Sequence, residues 1–386
     1  MSLPTYLFKS KLLYKNILLP YSKLKIPNRK LSSYFEGARN YFLGFNNSED
    51  ERIEPVDESI PFVQYPLFTR DQLKKIASDK FKFDFGYASF GFHSDSIVPS
   101  INSLSDLTDP TQLNSLLPRR RPQGSPSDTL SIKAGDDTML VSPSVLAIAD
   151  GVSGWESDGE LANSGIWSRS IVETFSRLMT EYKISHTPHH LKRRDIEEIL
   201  DDSFLHTSHL MDLQKLSGSS TLILGMLSGD ILLMISIGDS KIFIIRDNKI
   251  ILTNKEESMK FCPTQIGTNT ITTMPSDFAW IDSFKLKEND YIIMCSDGIT
   301  DNLYEWEINN YLNEFINVKK NNLKTVANKL LIKAKEVAFD DYAYTPYNEK
   351  VNSNPNNKNN SQGGKVDDMS IVVAQVIKNK KEQVNN

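Results

Sequence analysis

The sequence predicts an α+β fold in which two antiparallel sheets pack against each other. Three observations carry this. Short apolar runs follow one another between tight turn words, Ser228-Gly229-Asp230, Gly238-Asp239-Ser240 and Asp247-Asn248, as antiparallel strands do. Two segments with apolar residues at helical spacing interrupt the strands, and two more precede the last one. No internal repeat is present.

Taken in order, the aromatic, partly alternating run Phe81 to Phe92 predicts a first strand. Residues 94–131 are rich in Ser, Pro, Asn and Asp and read as a flexible insertion, with Arg119-Arg120-Arg121 at a solvated tip. Met139 to Val141 and Val145 to Ile148 are short strands, the second ending at Ala149-Asp150-Gly151. Ile171, Val172, Phe175, Leu178, Met179 and Tyr182 predict one helix, and Ile196 to Met211 a second, capped by Asp195. Strands follow at Thr221–Leu227, Ile231–Ile237, Ile242–Arg246 and Ile250–Thr253. Phe278–Leu286 and Tyr291–Cys295 read as another pair around Glu288-Asn289-Asp290. Helices are expected around Tyr304–Phe315 and Leu323–Phe339, an asparagine-rich low-complexity loop over 348–364, and a final strand over Met369–Ile377.

Composition narrows the function. A net charge near −5 over 386 residues gives no support to nucleic-acid binding. The two cysteines, Cys262 and Cys295, form no CxxC pair, which argues against structural zinc or a disulfide framework. No segment reaches the roughly 18 apolar residues of a membrane span. The first 35 residues carry seven lysines and arginines and no acid before Glu36, the composition of a mitochondrial transit peptide. The alternative is a disordered basic tail. The expected organisation is a transit peptide over 1–45, a linker and lead-in over 46–80, one folded domain over 81–378 with insertions at about 94–131 and 348–364, and a polar tail over 379–386.

The chemistry lies in aspartates at strand ends. Gly135-Asp136-Asp137 precedes one strand, Asp150-Gly151 and Asp297-Gly298 close two others, and Asp367-Asp368 opens the last. A single Asp-Gly is a turn signal. Four such sites converging at one end of a sandwich would repel unless a multivalent cation neutralised them, and an all-oxygen set suits Mg²⁺ or Mn²⁺.

Ala149-Asp150-Gly151, Gly218-Ser219-Ser220-Thr221, Gly238-Asp239-Ser240, Ser296-Asp297-Gly298 with Asp301, and Asp367-Asp368-Met369-Ser370 occur in the order seen in type 2C protein phosphatases. The resemblance covers roughly residues 80 to 377. Gly363 to Asp368 and Asp150 to Trp155 are similar to the mitochondrial branch of that family. The resemblance implies a four-layer α-β-β-α sandwich holding two Mg²⁺ or Mn²⁺ ions, with a third, looser one. Asp150 then bridges the metals and Gly151 lends its carbonyl, while Asp297 and Asp367 are ligands of the second ion. Asp136 and Asp137 stand where the family has Glu-Asp, with Asp137 the favoured ligand. Asp239 with Asp297 would hold the third ion. Asp301 stands behind the ligands, or alternatively caps the helix at Tyr304. The catalytic set implied is Asp137, Asp150, Asp297 and Asp367, acting through a water shared by two metals that attacks phosphorus in line.

Two positions depart from the family pattern. A phosphate-holding arginine is replaced by Ile132, leaving Lys133 or a distant arginine such as Arg120 to substitute, and a histidine after the Asp-Gly is replaced by Val152. The expectation is a monomeric phosphatase acting on phosphoserine and phosphothreonine of mitochondrial matrix proteins. The alternative is a catalytically silent adaptor.

Overall fold

The computed structural model describes residues 68–76, 80–92, 119–122, 124–152, 161–186, 191–255, 258–259, 262–268, 270, 273–353 and 360–379. The expected leader and linker up to residue 67, most of the first insertion, the middle of the second, and the tail from residue 380 lie outside them.

Two antiparallel sheets form the centre. The first contains β1 (Phe81–Phe90), and the second starts with β2 (Arg119–Arg120), β3 (Leu130–Ala134), β4 (Asp137–Val141) and β5 (Val145–Ala149). Helices α1 (Arg70–Lys75), α2 (Ser164–Ser185) and α3 (Arg193–Leu213) belong to the N-terminal half. Next come β6 (Leu222–Ser228), β7 (Ile231–Ile237), β8 (Lys241–Arg246), β9 (Lys249–Thr253), β10 (Trp280–Lys285) and β11 (Tyr291–Cys295). The chain ends through α4 (Asp297–Thr300), α5 (Glu305–Asn313), α6 (Leu323–Ala338), α7 (Pro346–Asn352) and β12 (Met369–Lys378). The seven-stranded sheet runs β10-β7-β6-β5-β4-β3-β2, and the five-stranded sheet runs β1-β12-β11-β8-β9.

Side-chain alternation along each strand builds the layers. In β11, Ile292 and Met294 join Ile148, Ile223 and Met234 between the sheets. The alternate residues Ile293 and Cys295 face Val326, Leu330 and Ala334 of α6. On the far side, α2 packs on β4 and β5, and Trp167 meets Phe204 of α3 edge-on at 6.0 Å. The result is the expected four-layer sandwich.

Three local expectations are corrected. The runs ending at Leu286 and starting at Tyr291 do not pair: β10 joins β7 in one sheet, and β11 joins β8 and β12 in the other. The Glu288–Asp290 turn therefore carries the chain between sheets, as does Gly238-Asp239-Ser240. Turn chemistry fixes a reversal but not which sheet receives the next strand. The C-terminal end of the expected 94–131 insertion is ordered: Arg119 and Arg120 pair with Ile132 and Ser131 of β3. Arg120 donates to Glu173 at 2.8 and 2.6 Å, holding β2 to α2. Finally, Asp195 is three residues inside α3 from the cap Lys192, whose N–H it accepts at 2.8 Å.

Candidate active site

Sheet registers gather the aspartates at one end of the sandwich. Thr138 pairs with Ala149 and Ile148 with Ile223, so Asp137 and Asp150 meet at the start of β4 and the end of β5. In the other sheet Lys241 pairs with Cys295, and Cys295 with Ile371. Asp239, Asp297 and Asp367 therefore stand at neighbouring strand ends.

The turn words hold this arrangement. Thr221 donates its N–H to the Asp150 carbonyl at 2.8 Å, and its hydroxyl lies 3.3 Å from the Asp150 N–H and 3.0 Å from the Ser240 hydroxyl. The Gly-Ser-Ser-Thr word thus fixes both Asp150 and the Gly238–Ser240 crossing. Gly151 bridges to Ser220, and a Cβ there would lie 2.6 Å from the Asp136 carbonyl oxygen, so only glycine allows this approach. Ser296 donates to Asp137 Oδ2 at 2.7 Å and accepts from the Ser370 N–H at 3.0 Å.

Of the Asp136–Asp137 pair, Asp137 is fully buried and belongs to the cluster. Asp136 is turned the other way: a Cβ on Gly165 would lie 2.7 Å from Asp136 Oδ1 and 2.5 Å from Lys133 Nζ. Asp239 is part of the cluster, and its Oδ1, like Asp137 Oδ1, is buried without a partner. Asp301 accepts from Lys365 at 2.6 Å and does not cap α5, which is capped at Tyr304.

Electrostatics show the strain of this crowding. Burial, followed by the charge of Asp368, pushes the Asp137 carboxyl well above its ordinary value. Burial, then Asp137, Asp297 and Asp367, does the same to Asp150. Burial with Asp297 nearby raises Asp239 to about 7 and Asp301 to about 6, and raises Asp367. Asp297 goes the other way: burial pushes it up, but the Lys365 ammonium at 2.6 Å outweighs this and leaves it lowered. Lys365 also reaches Asp301 at 2.6 Å and Asp367 at 3.1 Å. Among the described residues these carboxylates do not already form a closed group of three or more ligands, and the Lys365 ammonium is paired with Asp297, Asp301 and Asp367.

Sequence reasoning gave no role of their own to Lys365 and Asp368, although both lie in motifs it quoted, and it missed Asn302. Asn302 takes the Lys365 N–H at 3.0 Å and donates to the Lys365 carbonyl at 2.8 Å, fixing the lysine's backbone. Asp368 accepts from the Phe92 and Asp136 N–H groups, both at 2.6 Å, and ties β1 to the β3–β4 turn. The contiguous Lys365-Val366-Asp367-Asp368 wording could have pointed to Lys365 and Asp368, but nothing in it points to Asn302. Ile132 is 4% exposed and packs between the sheets, so the replaced arginine position faces the core rather than the cluster. Lys133 projects from the opposite face of β3, donates to the Gly135 carbonyl at 2.6 Å and has the Asp136 charge beside it. Arg120, committed to Glu173, does not replace the arginine.

A sequence model of the protein phosphatase 2C family matches residues 133–333, more than half of the chain. The chain belongs to the protein phosphatase 2C family. It is a protein serine/threonine phosphatase, a phosphoric monoester hydrolase. It is 29% identical over 256 residues to the rice (Oryza sativa subsp. japonica) "Probable protein phosphatase 2C 1", a match covering 63% of this chain and 70% of that one. It is 25% identical over 266 residues to the Drosophila ananassae "Protein phosphatase PTC7 homolog fig", covering 65% and 76%. The solved photosystem II phosphatase PBCP superposes with a TM-score of 0.54 at 22% identity, over 76% of this chain and 98% of that one, and so supports the fold.

Proposed function

We propose that this phosphatase is Mg²⁺- or Mn²⁺-dependent and hydrolyses phosphoserine and phosphothreonine on mitochondrial matrix proteins. The metal dependence rests on one observation: Asp137, Asp150, Asp239, Asp297, Asp301 and Asp367 share one end of the sandwich, where Lys365 is paired with three of them and Lys350 adds its charge near Asp239 and Asp301, so carboxylates outnumber ammonium groups. Two buried oxygens, Asp137 Oδ1 and Asp239 Oδ1, have no partner. Such a donor set is all-oxygen and over-charged, as hard divalent cations require. Asp150, Asp137, Asp297, Asp367 and the Gly151 carbonyl would hold two ions, and Asp239 with Asp297 a third. Bound divalent cations supply an acidified water as nucleophile and offset charge on the phosphoryl oxygens. The chain's own part is to hold Asp150 rigid through Thr221, to keep Asp297 ionised through Lys365, and to offer the Lys133 ammonium at the rim as a point charge for the substrate phosphate.

The test is initial rates on a phosphothreonine peptide against Mn²⁺, together with Mn²⁺ calorimetry. Activity should vanish in excess chelator and return with two or three bound ions. Turnover that persists in chelator refutes metal dependence, and full Mn²⁺ binding without turnover points to the silent adaptor. The acid-free leader supports the mitochondrial assignment, and a reporter fused to residues 1–45 should be imported and cleaved. A diffuse cytosolic reporter refutes it. The enzyme is also taken to be monomeric, which light scattering checks directly.

A further inference from the structure

At the opposite end of β4 and β5 from Asp137 and Asp150, roughly 15 Å away at the rise of a strand, lies a cavity of about 740 Å³. The β4–β5 hairpin (Ser142 to Val145), the C-terminal half of α2, helix α1 and the 121–129 segment line it, and it is partly open to solvent. Its volume falls within the ~300–1,000 Å³ of small-molecule sites. Part of the wall is apolar, built by Leu73, Ile76 and Met179.

The polar part is unusual. Lys183 lines the cavity from α2 and is only 7% exposed. No carboxylate or carbonyl among the described residues partners its ammonium, and burial alone pushes the group down to about 8. The last turn of α2 favours a cation only weakly, and a buried, unpaired ammonium is costly to keep. Arg121 and Lys82 line the same cavity. Arg121 donates to the Ser125 carbonyl at 3.0 Å, and neither side chain has an ion pair among the described residues. Among the described wall residues the acid is Asp128, which is exposed, as is Arg121, while Lys82 is half-buried. Among the described residues, three cations against one carboxylate leave a surplus of two positive charges, the complement of a phosphate monoester dianion.

We propose that this cavity is a second ligand site, separate from the aspartate cluster, for a small phosphate-bearing molecule with an apolar body. Its phosphate sits on Lys183, Arg121 and Lys82, and its body against Leu73, Ile76 and Met179. Helix α2 joins the site to the catalytic end, where Ser168 donates to the Asp136 carbonyl at 2.6 Å.

The probe is 4-phenylbutylphosphonate, which the enzyme cannot hydrolyse, titrated calorimetrically into the full Mn²⁺-loaded chain at pH 7. Asp150→Asn separates any binding at the catalytic end. The expected result is one phosphonate bound in Asp150→Asn, weakened at least tenfold by adding Lys183→Met and retained with Lys183→Arg. The carboxylate of the same skeleton should bind more weakly than the phosphonate, and the neutral amide should not bind. Equal binding with and without Lys183→Met overturns the site. An equally tight carboxylate overturns the phosphate assignment, and an equally tight amide overturns an anion site altogether. A crystal structure showing the chain's own residues filling the cavity does the same.

Discussion

Replacing Lys183 by methionine isolates what the buried ammonium costs the fold. Burial moves this group from 10.5 to about 8. At ~1.4 kcal/mol per pH unit, holding the charged form inside destabilises the native state by ~3 kcal/mol. The pH dependence has a definite sign. Below pH 8 both folded and unfolded chains are protonated, and the full penalty is present. Between about 8 and 10.5 the unfolded chain binds more protons, so wild-type stability rises with pH until the penalty is gone. Methionine keeps most of the side-chain volume and removes the charge. Lys183→Met should therefore be ~3 kcal/mol more stable at pH 7, raising Tm by roughly 5–10 °C. The gain should shrink to under ~0.5 kcal/mol at pH 10.5. Urea unfolding followed by tryptophan fluorescence at the two pH values measures both. A variant no more stable than wild type at pH 7, or one equally favoured at pH 10.5, refutes the reading of Lys183 as an unpaired buried charge.

Asp150→Asn should reduce kcat on a phosphopeptide by at least ~10³-fold, the scale of losing a central electrostatic group, yet raise Tm in chelator, since it removes a carboxyl that burial and its neighbours already strain. Lys365→Met should destabilise the chelated protein by ~2 kcal/mol, a figure reduced because the lysine is partly solvated, and melts with and without Mn²⁺ should show the metal recovering more stability than in wild type. Gly135→Ala should cost ~2 kcal/mol, because φ is +63° and the new Cβ would fall 2.0 Å from Asp368 Oδ1. Chemical denaturation reads this, and kcat should fall with it. Ile132→Arg should not restore a phosphate clamp: at 4% exposure it places a guanidinium between the sheets and should unfold the chain or cost ~3 kcal/mol or more, visible as lost soluble yield or a lowered urea midpoint.

The strands were legible wherever turn words bounded apolar runs: Ile231–Ile237 and Tyr291–Cys295 are where the sequence places them. Their partners were not. The sequence around Glu288-Asn289-Asp290 is a good reversal, and Asn289 takes the φ of +71° that a tight turn asks for. Yet Arg246 donates to both oxygens of Asp290, at 2.8 and 2.7 Å, from the five-stranded sheet. That tertiary pairing accompanies the crossing between sheets. Strands β2 and β3 were hidden because Arg119 and Arg120 look like a solvated loop, whereas Arg120 is held by Glu173 far along the chain. At the site, the aspartates could be listed from their strand-end positions. The ammonium paired with them could not, because Lys365 carries no pattern of its own.

The same registers that gather the aspartates also separate the molecule into two ends of opposite charge. At one end Asp137, Asp150, Asp239, Asp297 and Asp367 meet because strand ends align, and Lys365 is the ammonium paired among them. At the other, the β4–β5 hairpin faces Lys183, Arg121 and Lys82, with one acid among the described wall residues. Each end holds some charge away from water, the aspartates at one and Lys183 at the other, at a cost that apolar residues would avoid. A fold retaining both costs gains nothing from them in isolation. At the acidic end the cost falls when divalent cations bind, and at the basic end it falls when an anion binds. Ligand-linked stability should therefore be separable: Mn²⁺ should raise the Tm of Lys183→Met as much as that of wild type, whereas the phosphonate should raise only the latter. Equal phosphonate stabilisation of both proteins would mean that the two charge excesses serve a single site, and the separation argued from the strand registers would be wrong.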